Sequence, residues 1–350
     1  MHIVSRKLRP FTSLVTVGLG VTLGAGLWAA PASAQSTLEV VQKRGQLLCG
    51  ANGQLPGFSL VNDSGNWQGL DVDLCRAVAA AVLGDAKKVK FVPLTAQQRF
   101  RALEAGEVDV LARNSSVTLQ RDAGAKVKHA AINYFDGQGF AVANKLKIAK
   151  LASLSGATIC FTRGTTHEAN LVNWFRARQL RVTPQGYDTA DAMYDAFLAS
   201  RCAAITQDAS ALAATLARRG KAADYTVLPE IISKEPLGPY VRAGDQAWLE
   251  VVRWSHYAMV EAEERGIDKA NVASERRSPD PETKLFLGVT AGNGKALGLD
   301  EAWAYDIVKQ VGNYGESFDR HLGARTPLKL ARGPNALWSQ GGQMYPPPMR

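Results

Sequence analysis

The sequence lacks the motifs of common hydrolases and metal sites. It contains neither Gly-x-Ser-x-Gly nor His-Glu-x-x-His, and its five histidines show no metal-ligand spacing. No two of its four cysteines form Cys-x-x-Cys, which argues against a zinc or thioredoxin-like site. No acid or base is placed in a way that marks it for proton transfer. These absences predict a protein that is not an enzyme and that holds no metal and no cofactor.

Two further features are missing. After residue 34 there is no run of about 18 consecutive apolar residues, the length that a membrane-spanning helix requires. The formal net charge is +9, but the lysines and arginines form no dense block. The charge therefore indicates solubility and mild attraction of anions, and not nucleic-acid binding.

The amino-terminal segment, residues 1–34, has the pattern of a secretory signal peptide. Basic residues come first, an apolar run follows over residues 11–30, and Ala32-Ser33-Ala34 ends it. This order predicts export and cleavage after Ala34. A retained membrane anchor is the alternative. The remaining chain, residues 35–350, is too long for one ordinary core and indicates two domains.

The cysteines fall into two local pairs. Export to an oxidising compartment makes disulfides plausible, and we predict Cys49–Cys75 and Cys160–Cys202, one pair in each domain. Four cysteines allow three connectivities, and four buried free thiols are a further alternative.

Strand and helix patterns alternate twice along the chain. The first series runs from about residue 46 to 111 and the second from about 157 to 218. The first ends with a predicted strand at 108–111, and the second begins with a strand at 157–161 and ends with a helix at 209–218. Before the first series, Thr37 is expected to cap a short helix. Such alternation predicts an α/β fold with mostly parallel sheets covered by helices. Two turn-rich segments, residues 134–140 and 233–239, lie where the chain would cross between the two units.

Polar residues follow three of the predicted strands, where ligands gather in α/β sheets. Ser116-x-Thr118-x-x-Arg121 offers hydroxyls and a guanidinium, which binds a carboxylate in a two-pronged manner. Thr162 to Thr166 opens a helix, and Asp208 precedes another and could pair with an ammonium group. Helix capping by Thr118, Thr165 and Asp208 is the competing interpretation, with Thr165 and Glu168 forming a capping box. His167 is expected to face solvent on the first turn of its helix.

Several ordered motifs carry a resemblance to a known family. They are Gly69-Leu70-Asp71-Val72-Asp73-Leu74, Arg99-Phe100-x-Ala102-Leu103-x-x-Gly106-x-x-Asp109, Ser116-x-Thr118-x-x-Arg121, Gly164-Thr165-Thr166 and Gln207-Asp208. The chain resembles the polar amino acid-binding proteins of ATP-driven (ABC) importers. Residues 134–140, 228–239, 311–316 and 337–338 are similar to the general L-amino acid-binding subgroup. The resemblance spans residues 35–350.

The resemblance implies a two-lobed type II periplasmic-binding-protein fold with a two-strand hinge. Residues 35–136 and 236–265 would form lobe 1, and residues 137–235 would form lobe 2. Residues 266–350 would be a carboxyl-terminal extension packed on lobe 1.

The resemblance also implies a role for each matching residue. Arg121 would clamp the α-carboxylate of a free amino acid, helped by Ser116 and Thr166. The backbone of Asn114 would accept from the α-amine, and Asp208 would pair with that amine. The residues expected to face the ligand side chain are Asn52, Leu55 and Thr162. Arg113 or Arg163 could meet an acidic side chain, but arginine is mostly exposed, and the alternative is that each is a surface or inter-strand residue.

The function implied is capture of free L-amino acids, polar or acidic and over a broad range, by hinge closure in the periplasm. The partners would be the amino acid and the permease subunits of an ABC importer, with the binding protein as a monomer and no nucleic acid involved. Two alternatives remain: an exported enzyme resembling cyclohexadienyl dehydratases, and an amino acid sensor.

Overall fold

The computed structural model describes residue 2 and residues 35–350. The predicted cleavage site and all of the predicted signal peptide except residue 2 lie outside the described residues. Residues 35–350 form one unit by their contacts.

The elements follow the predicted alternation in chain order. The first part contains α1 (Thr37–Arg44), β1 (Leu47–Ala51), β2 (Gln54–Leu55), β3 (Ser59–Val61), β4 (Trp67–Gln68), α2 (Leu70–Leu83), β5 (Val89–Pro93), α3 (Arg99–Glu104), β6 (Val110–Ser116), α4 (Leu119–Gly124), β7 (Val127–His129) and β8 (Tyr134–Ala143). The second part contains β9 (Thr158–Thr162), α5 (His167–Ala177), β10 (Thr183–Tyr187), α6 (Ala190–Leu198), β11 (Ala204–Asp208), α7 (Ala209–Arg218), β12 (Tyr225–Val227) and β13 (Lys234–Arg242). The third part contains α8 (Gln246–Glu264), α9 (Val272–Glu275), α10 (Pro281–Phe286), α11 (Asn293–Leu297), α12 (Trp303–Gln310) and α13 (Tyr314–His321). Short 3-10 helices occur at Asn144–Leu146, Leu151–Leu154, Gly333–Asn335 and Trp338–Gln340.

Each lobe has a mixed sheet built around three parallel strands. In lobe 1, β5, β1 and β6 run parallel, β13 pairs antiparallel with β6, and β7 pairs with β13. In lobe 2, β10, β9 and β11 run parallel, β8 pairs antiparallel with β11, and β12 pairs with β8. Each antiparallel pair in these two sheets includes β8 or β13, the strands by which the chain passes between lobes. A separate antiparallel sheet consists of β2, β3 and β4.

The strands β8 and β13 carry the chain across. Their first segments pair with each other, with Tyr134 opposite Leu237 and Asp136 opposite Glu235. Beyond this ladder β8 continues along β11 in lobe 2, while β13 continues along β6 in lobe 1. The crossings expected at residues 134–140 and 233–239 thus lie in these two strands. The proposed lobe boundaries at 136/137 and 235/236 fall within the same ladder and remain predictions.

The carboxyl-terminal helices cover one side of lobe 1. Trp303 and Ile307 of α12 and Phe318 of α13 are buried in one cluster with Ala77 of α2 and Met259 of α8. At the other end of the described chain, Ser36 and not Thr37 caps α1, because the Ser36 hydroxyl accepts from the backbone N–H of Glu39.

The disulfide pairing is the predicted one. Cys49 bonds to Cys75 and joins β1 to α2, with a Cα–Cα distance of 6.3 Å. Cys160 bonds to Cys202 and joins β9 to the loop before β11, with a Cα–Cα distance of 5.8 Å. Each bond therefore ties a strand to another segment of the same lobe, a helix in the first case and a loop in the second.

Candidate functional site

A cavity of about 250 Å³ lies where the two lobes face each other. It sits beyond the carboxyl ends of β1, β6, β9 and β11, the position that ligands occupy in α/β sheets. Seven of the predicted site residues line it: Asn52, Leu55, Asn114, Ser116, Thr162, Thr166 and Asp208. Arg121 is not among the lining residues.

Asp208, at the end of β11, connects the two walls of the cavity. It occupies the N-cap position of α7, but its side chain makes no capping hydrogen bond. One carboxylate oxygen instead accepts from His167 Nε2 at 3.0 Å, and the other accepts from Asn114 Nδ2 at 3.3 Å. Since Asn114 belongs to lobe 1, this carboxylate joins the lobes. The competing interpretation of Asp208 as a simple cap is therefore wrong.

Asn114 has an unusual backbone conformation. Its φ of +34° is in the left-handed region, which asparagine tolerates better than most residues. The backbone N–H of Asn114 donates to Asp71 Oδ2 at 2.8 Å, and Asn133 Nδ2 donates to Asp71 Oδ1 at 3.0 Å. Burial raises the pKa of Asp71 to about 6 in spite of these hydrogen bonds. Asn114 Oδ1 is buried without a hydrogen-bond partner among the described residues.

Arg121 lies behind the wall that Ser116 forms. Thr118 caps α4 by accepting from the backbone N–H of Arg121, as the capping interpretation of this loop expects. The guanidinium donates to the Ser116 carbonyl at 2.9 Å and lies 5.2 Å above the Phe100 ring. Burial lowers the pKa of Arg121, but a guanidinium stays charged at neutral pH. In this structure Ser116 thus lies between the cavity and Arg121, the residue predicted to bind the α-carboxylate.

Thr166 is tied to the hinge. Its hydroxyl donates to Glu235 Oε2 at 3.0 Å, and Asn170 Nδ2 and the Ser233 hydroxyl donate to Glu235 Oε1. Glu235 is 1% exposed and lies in β13. The first turn of α5 is therefore fixed to a hinge strand through one carboxylate. The expected Thr165–Glu168 capping box is not formed: Thr166 is the N-cap residue and its side chain makes no capping hydrogen bond, while the Thr165 hydroxyl accepts from the backbone N–H of His167 at 3.3 Å.

Three lining residues were missed or misjudged from the sequence. His167 was expected to face solvent, which is wrong: it is 4% exposed and contacts Asp208. Arg99 and Arg113 are buried and line the cavity from lobe 1. The position of Arg113 could have indicated its burial, because this residue follows the apolar residues of β6 directly and precedes the polar run. Arg163, the other arginine considered, is half exposed and pairs with Asp188 at 2.9 Å.

The two lobes also touch directly across the cleft. Arg99 Nη2 of lobe 1 donates to the Gly164 carbonyl of lobe 2 at 3.2 Å. A Cβ at residue 164 would lie 3.2 Å from the Ala96 carbonyl oxygen and 3.1 Å from the Gln97 side chain. With a φ of +75° as well, this position favours glycine, which lets the lobes approach closely.

No metal-binding cluster is found among residues 35–350, where no three His, Cys, Asp or Glu side chains converge. Within the same residues, none of the helices combines the length and apolarity needed to cross a bilayer.

Two α/β lobes joined by crossing strands, with a polar cavity between them, define a binding protein of the type II periplasmic class. The chain belongs to the bacterial extracellular solute-binding proteins, family 3, whose family profile matches residues 47–266.

Similar proteins cover nearly the whole chain. The glutamate/glutamine/aspartate/asparagine-binding protein of Rhodobacter capsulatus is 50% identical over 93% of this chain and 96% of its own length. The general L-amino acid-binding periplasmic protein of Rhizobium johnstonii is 45% identical over 95% of this chain and 98% of its own. A periplasmic binding protein from Brucella ovis, solved with glutathione bound, is 47% identical with a TM-score of 0.88, covering 91% of this chain and 100% of that one. All three are named as binding proteins.

Proposed function

We propose that this protein captures free L-amino acids in the periplasm and delivers them to an ABC importer. The observation that carries the proposal is a polar cavity whose walls come from both lobes and meet at Asp208 and Asn114. Its relatives of 45–50% identity are named as amino acid-binding proteins, which supports the same ligand class.

The ligand backbone would be held at both ends. The α-ammonium would take the place of Asn114 Nδ2 at Asp208 and donate to the backbone carbonyl of Asn114. The α-carboxylate would be bound by Arg121, by the Ser116 hydroxyl and by Thr166, whose hydroxyl would turn from Glu235 to the ligand. Ser116 already lines the cavity, and Arg121 contacts the Ser116 carbonyl.

The ligand side chain would then face the remaining lining residues. Asn52 and Leu55 lie on the loop after β1, and Thr162 ends β9. These groups mix amide, apolar and hydroxyl surface, which fits a range of small polar side chains.

Closure around the ligand follows from its charges. A zwitterion that bonds both lobes stabilises only the conformation in which they face each other, so it shifts the population toward the closed state. The β8–β13 ladder is the element about which the lobes would rotate.

Export and partners complete the proposal. Cleavage after Ala34 would release residues 35–350 as a monomer into the periplasm. The permease subunits of the importer would recognise the closed lobes.

The alternative function is an exported dehydratase of cyclic acids on the same scaffold. The buried pair His167–Asp208 lines the cavity and could transfer a proton. We favour transport, because the relatives of 45–50% identity are named as amino acid-binding proteins. Nuclear magnetic resonance of a cyclic hydroxylated carboxylic acid after long incubation with the protein separates the two: a dehydratase would convert it with loss of water, and a transport protein would leave it unchanged.

Isothermal titration calorimetry of residues 35–350 tests the proposal. The protein is unfolded with its disulfides intact, dialysed and refolded to remove bound ligand, and then titrated with the common L-amino acids and their D-enantiomers. We expect saturable binding of L-forms and a ligand-dependent rise in Tm, because a ligand that binds only the folded state stabilises it. Absence of binding to every L-amino acid would contradict the proposal.

A further inference from the structure

The charged groups at the rim of the cavity are already paired. Asp188 accepts from Arg163 at 2.9 Å. Asp191 accepts from Arg219 at 2.6 Å and lies 3.6 Å from Arg218. The rim therefore offers little uncompensated charge to a ligand.

Arg113 is different, because its charge is buried and unpaired. The residue is 8% exposed and lines the cavity from β6. Its Nε donates to the Leu94 carbonyl at 2.7 Å, which fixes the plane of the guanidinium. Its two terminal nitrogens have no hydrogen-bond partner among residues 35–350, and they are not enclosed by protein. Four N–H donors thus face the cavity.

A second buried guanidinium lies on the same wall. Arg99 is 3% exposed, donates to the Gly164 carbonyl, and has a buried Nε with no partner among the described residues. Burial lowers the pKa of Arg99 well below its usual value, and repulsion from Arg121 and Arg113 lowers it further. Burial also lowers the pKa of Arg113 to about 10. The wall therefore concentrates positive charge in a poorly solvated place.

The nearby carboxylates do not neutralise Arg113 directly. Asp71 and Asp208 attract it, but neither forms a salt bridge with it among residues 35–350. Asp71 accepts from the backbone of Asn114, and Asp208 accepts from Asn114 and His167. Once the ammonium group of a ligand pairs with Asp208, the positive charge of Arg99 and Arg113 in lobe 1 remains unbalanced. A further carboxylate on the ligand would balance it.

We infer that Arg113 binds the side-chain carboxylate of an acidic L-amino acid and so makes the site prefer glutamate or aspartate over the corresponding amides. The inference rests on the proposed function and specifies its substrate class. A planar guanidinium with a fixed Nε and free terminal nitrogens matches a carboxylate in a two-pronged geometry. An amide side chain offers only one acceptor and leaves the buried charge unbalanced.

Calorimetry on Arg113→Met and Arg113→Lys tests the inference, with L-glutamate and L-glutamine as ligands. We expect Arg113→Met to weaken L-glutamate binding about 100-fold, since it removes one partner of a buried charge pair. L-Glutamine affinity should change little. Arg113→Lys keeps the charge but not the two-pronged geometry, and should fall between wild type and Arg113→Met for L-glutamate.

Arg163→Met is the matched control, because Arg163 is a half-exposed arginine already paired with Asp188. It should leave the ratio of glutamate to glutamine affinity unchanged. An equal loss for both ligands in Arg113→Met would place Arg113 on the α-carboxylate instead, and no loss would make it structural; either result overturns the inference. Wild-type protein that binds no amino acid would overturn the proposed function itself. If Arg113→Met does not fold, the ratio of glutamate to glutamine affinity in Arg113→Lys tests the inference: a ratio equal to that of wild type would overturn it.

Discussion

Single side chains join the two lobes across the cleft, in addition to the backbone crossings in β8 and β13. Asp208 receives hydrogen bonds from Asn114 in lobe 1 and His167 in lobe 2, and Arg99 reaches the Gly164 carbonyl across the cleft. A ligand that takes over the Asp208 bond replaces one protein contact with its own. The closed arrangement would therefore depend on a few exchangeable hydrogen bonds.

The anchoring role of Arg121 can be tested by Arg121→Ala. The substitution should cost about 3–5 kcal/mol in the free energy of amino acid binding, because it leaves a buried carboxylate unpaired. L-Glutamate and L-glutamine should lose the same amount, since both carry the α-carboxylate, and calorimetry measures the two losses. Unchanged affinity would contradict the assignment. Thermal unfolding of the variant without ligand separates this effect from misfolding.

For individual residues, the sequence predicts which polar side chains follow strands, but it does not predict how deeply each side chain is buried. Asn52, Ser116, Thr162 and Asp208 line the cavity because polar residues after parallel strands converge at one edge of a sheet. His167 and Arg99 could not be identified, since their burial depends on residues far away in the chain. Whether Arg121 clamps the ligand stays a prediction.

Helix α2 shows how one element serves both the site and the extension. Two of its aspartates, two residues apart, point to different partners. Asp71 holds the strained backbone of Asn114 at the cavity. Asp73 accepts from Ser317 Oγ at 2.8 Å, Arg320 Nη2 at 2.6 Å and His321 Nε2 at 2.9 Å, all in α13. The helix thus fastens the extension to lobe 1.

The Asp73 network predicts an effect on stability that depends on pH. Burial alone would raise the pKa of Asp73, but the hydrogen bond and charge of His321 and the charge of Arg320 outweigh it and hold the pKa well below its usual value. The stabilisation is thus present above about pH 4 and is lost as the pH falls from there toward the lower pKa of the folded state. Asp73→Asn should lower the free energy of unfolding at pH 7 by about 2 kcal/mol.

Chemical denaturation of wild type and Asp73→Asn over a pH series measures this difference. It should shrink as the pH falls below about 4, where Asp73 begins to be protonated in the unfolded state. A difference that does not change with pH would show that the charge of Asp73 contributes nothing. Asp63→Asn is the control, because the Asp63 carboxylate is exposed in the turn after β3 and forms no ion pair among the described residues.

Element boundaries were predicted well where apolar periodicity ends at a strong turn signal. Helix α7 spans Ala209–Arg218 as expected, and β9 spans Thr158–Thr162, one residue from the expected range. The strand β6 was expected to stop at Leu111 but extends to Ser116, because pairing with β13 continues along the polar residues. Local sequence cannot reveal a partner strand about 120 residues away.

In the whole molecule the carboxyl-terminal extension contacts the hinge itself. The side chain of Asn335 accepts from the backbone N–H of Phe135 at 2.6 Å and donates to its carbonyl at 3.1 Å. Tyr314 also donates to the Asn133 carbonyl at 2.8 Å, just before β8 begins. The amide of Asn335 therefore completes the hydrogen bonds of a hinge strand as a neighbouring strand would. The two lobes follow from alternation in the sequence, but this contact between residues 200 positions apart does not.

This contact predicts that the extension stiffens the hinge. Asn335 is 2% exposed, and Asn335→Ala removes the side-chain partner of both the Phe135 N–H and the Phe135 carbonyl, which should lower the free energy of unfolding by about 2 kcal/mol. Amide hydrogen exchange at Phe135 should become faster, because its protecting acceptor is gone. Asn144→Ala is the matched control: Asn144 makes side-chain hydrogen bonds in an exposed part of lobe 2, away from the β8–β13 ladder. If exchange at Phe135 were equally slow in both variants, Asn335 would not brace the hinge, and the extension would act only as a cover for lobe 1.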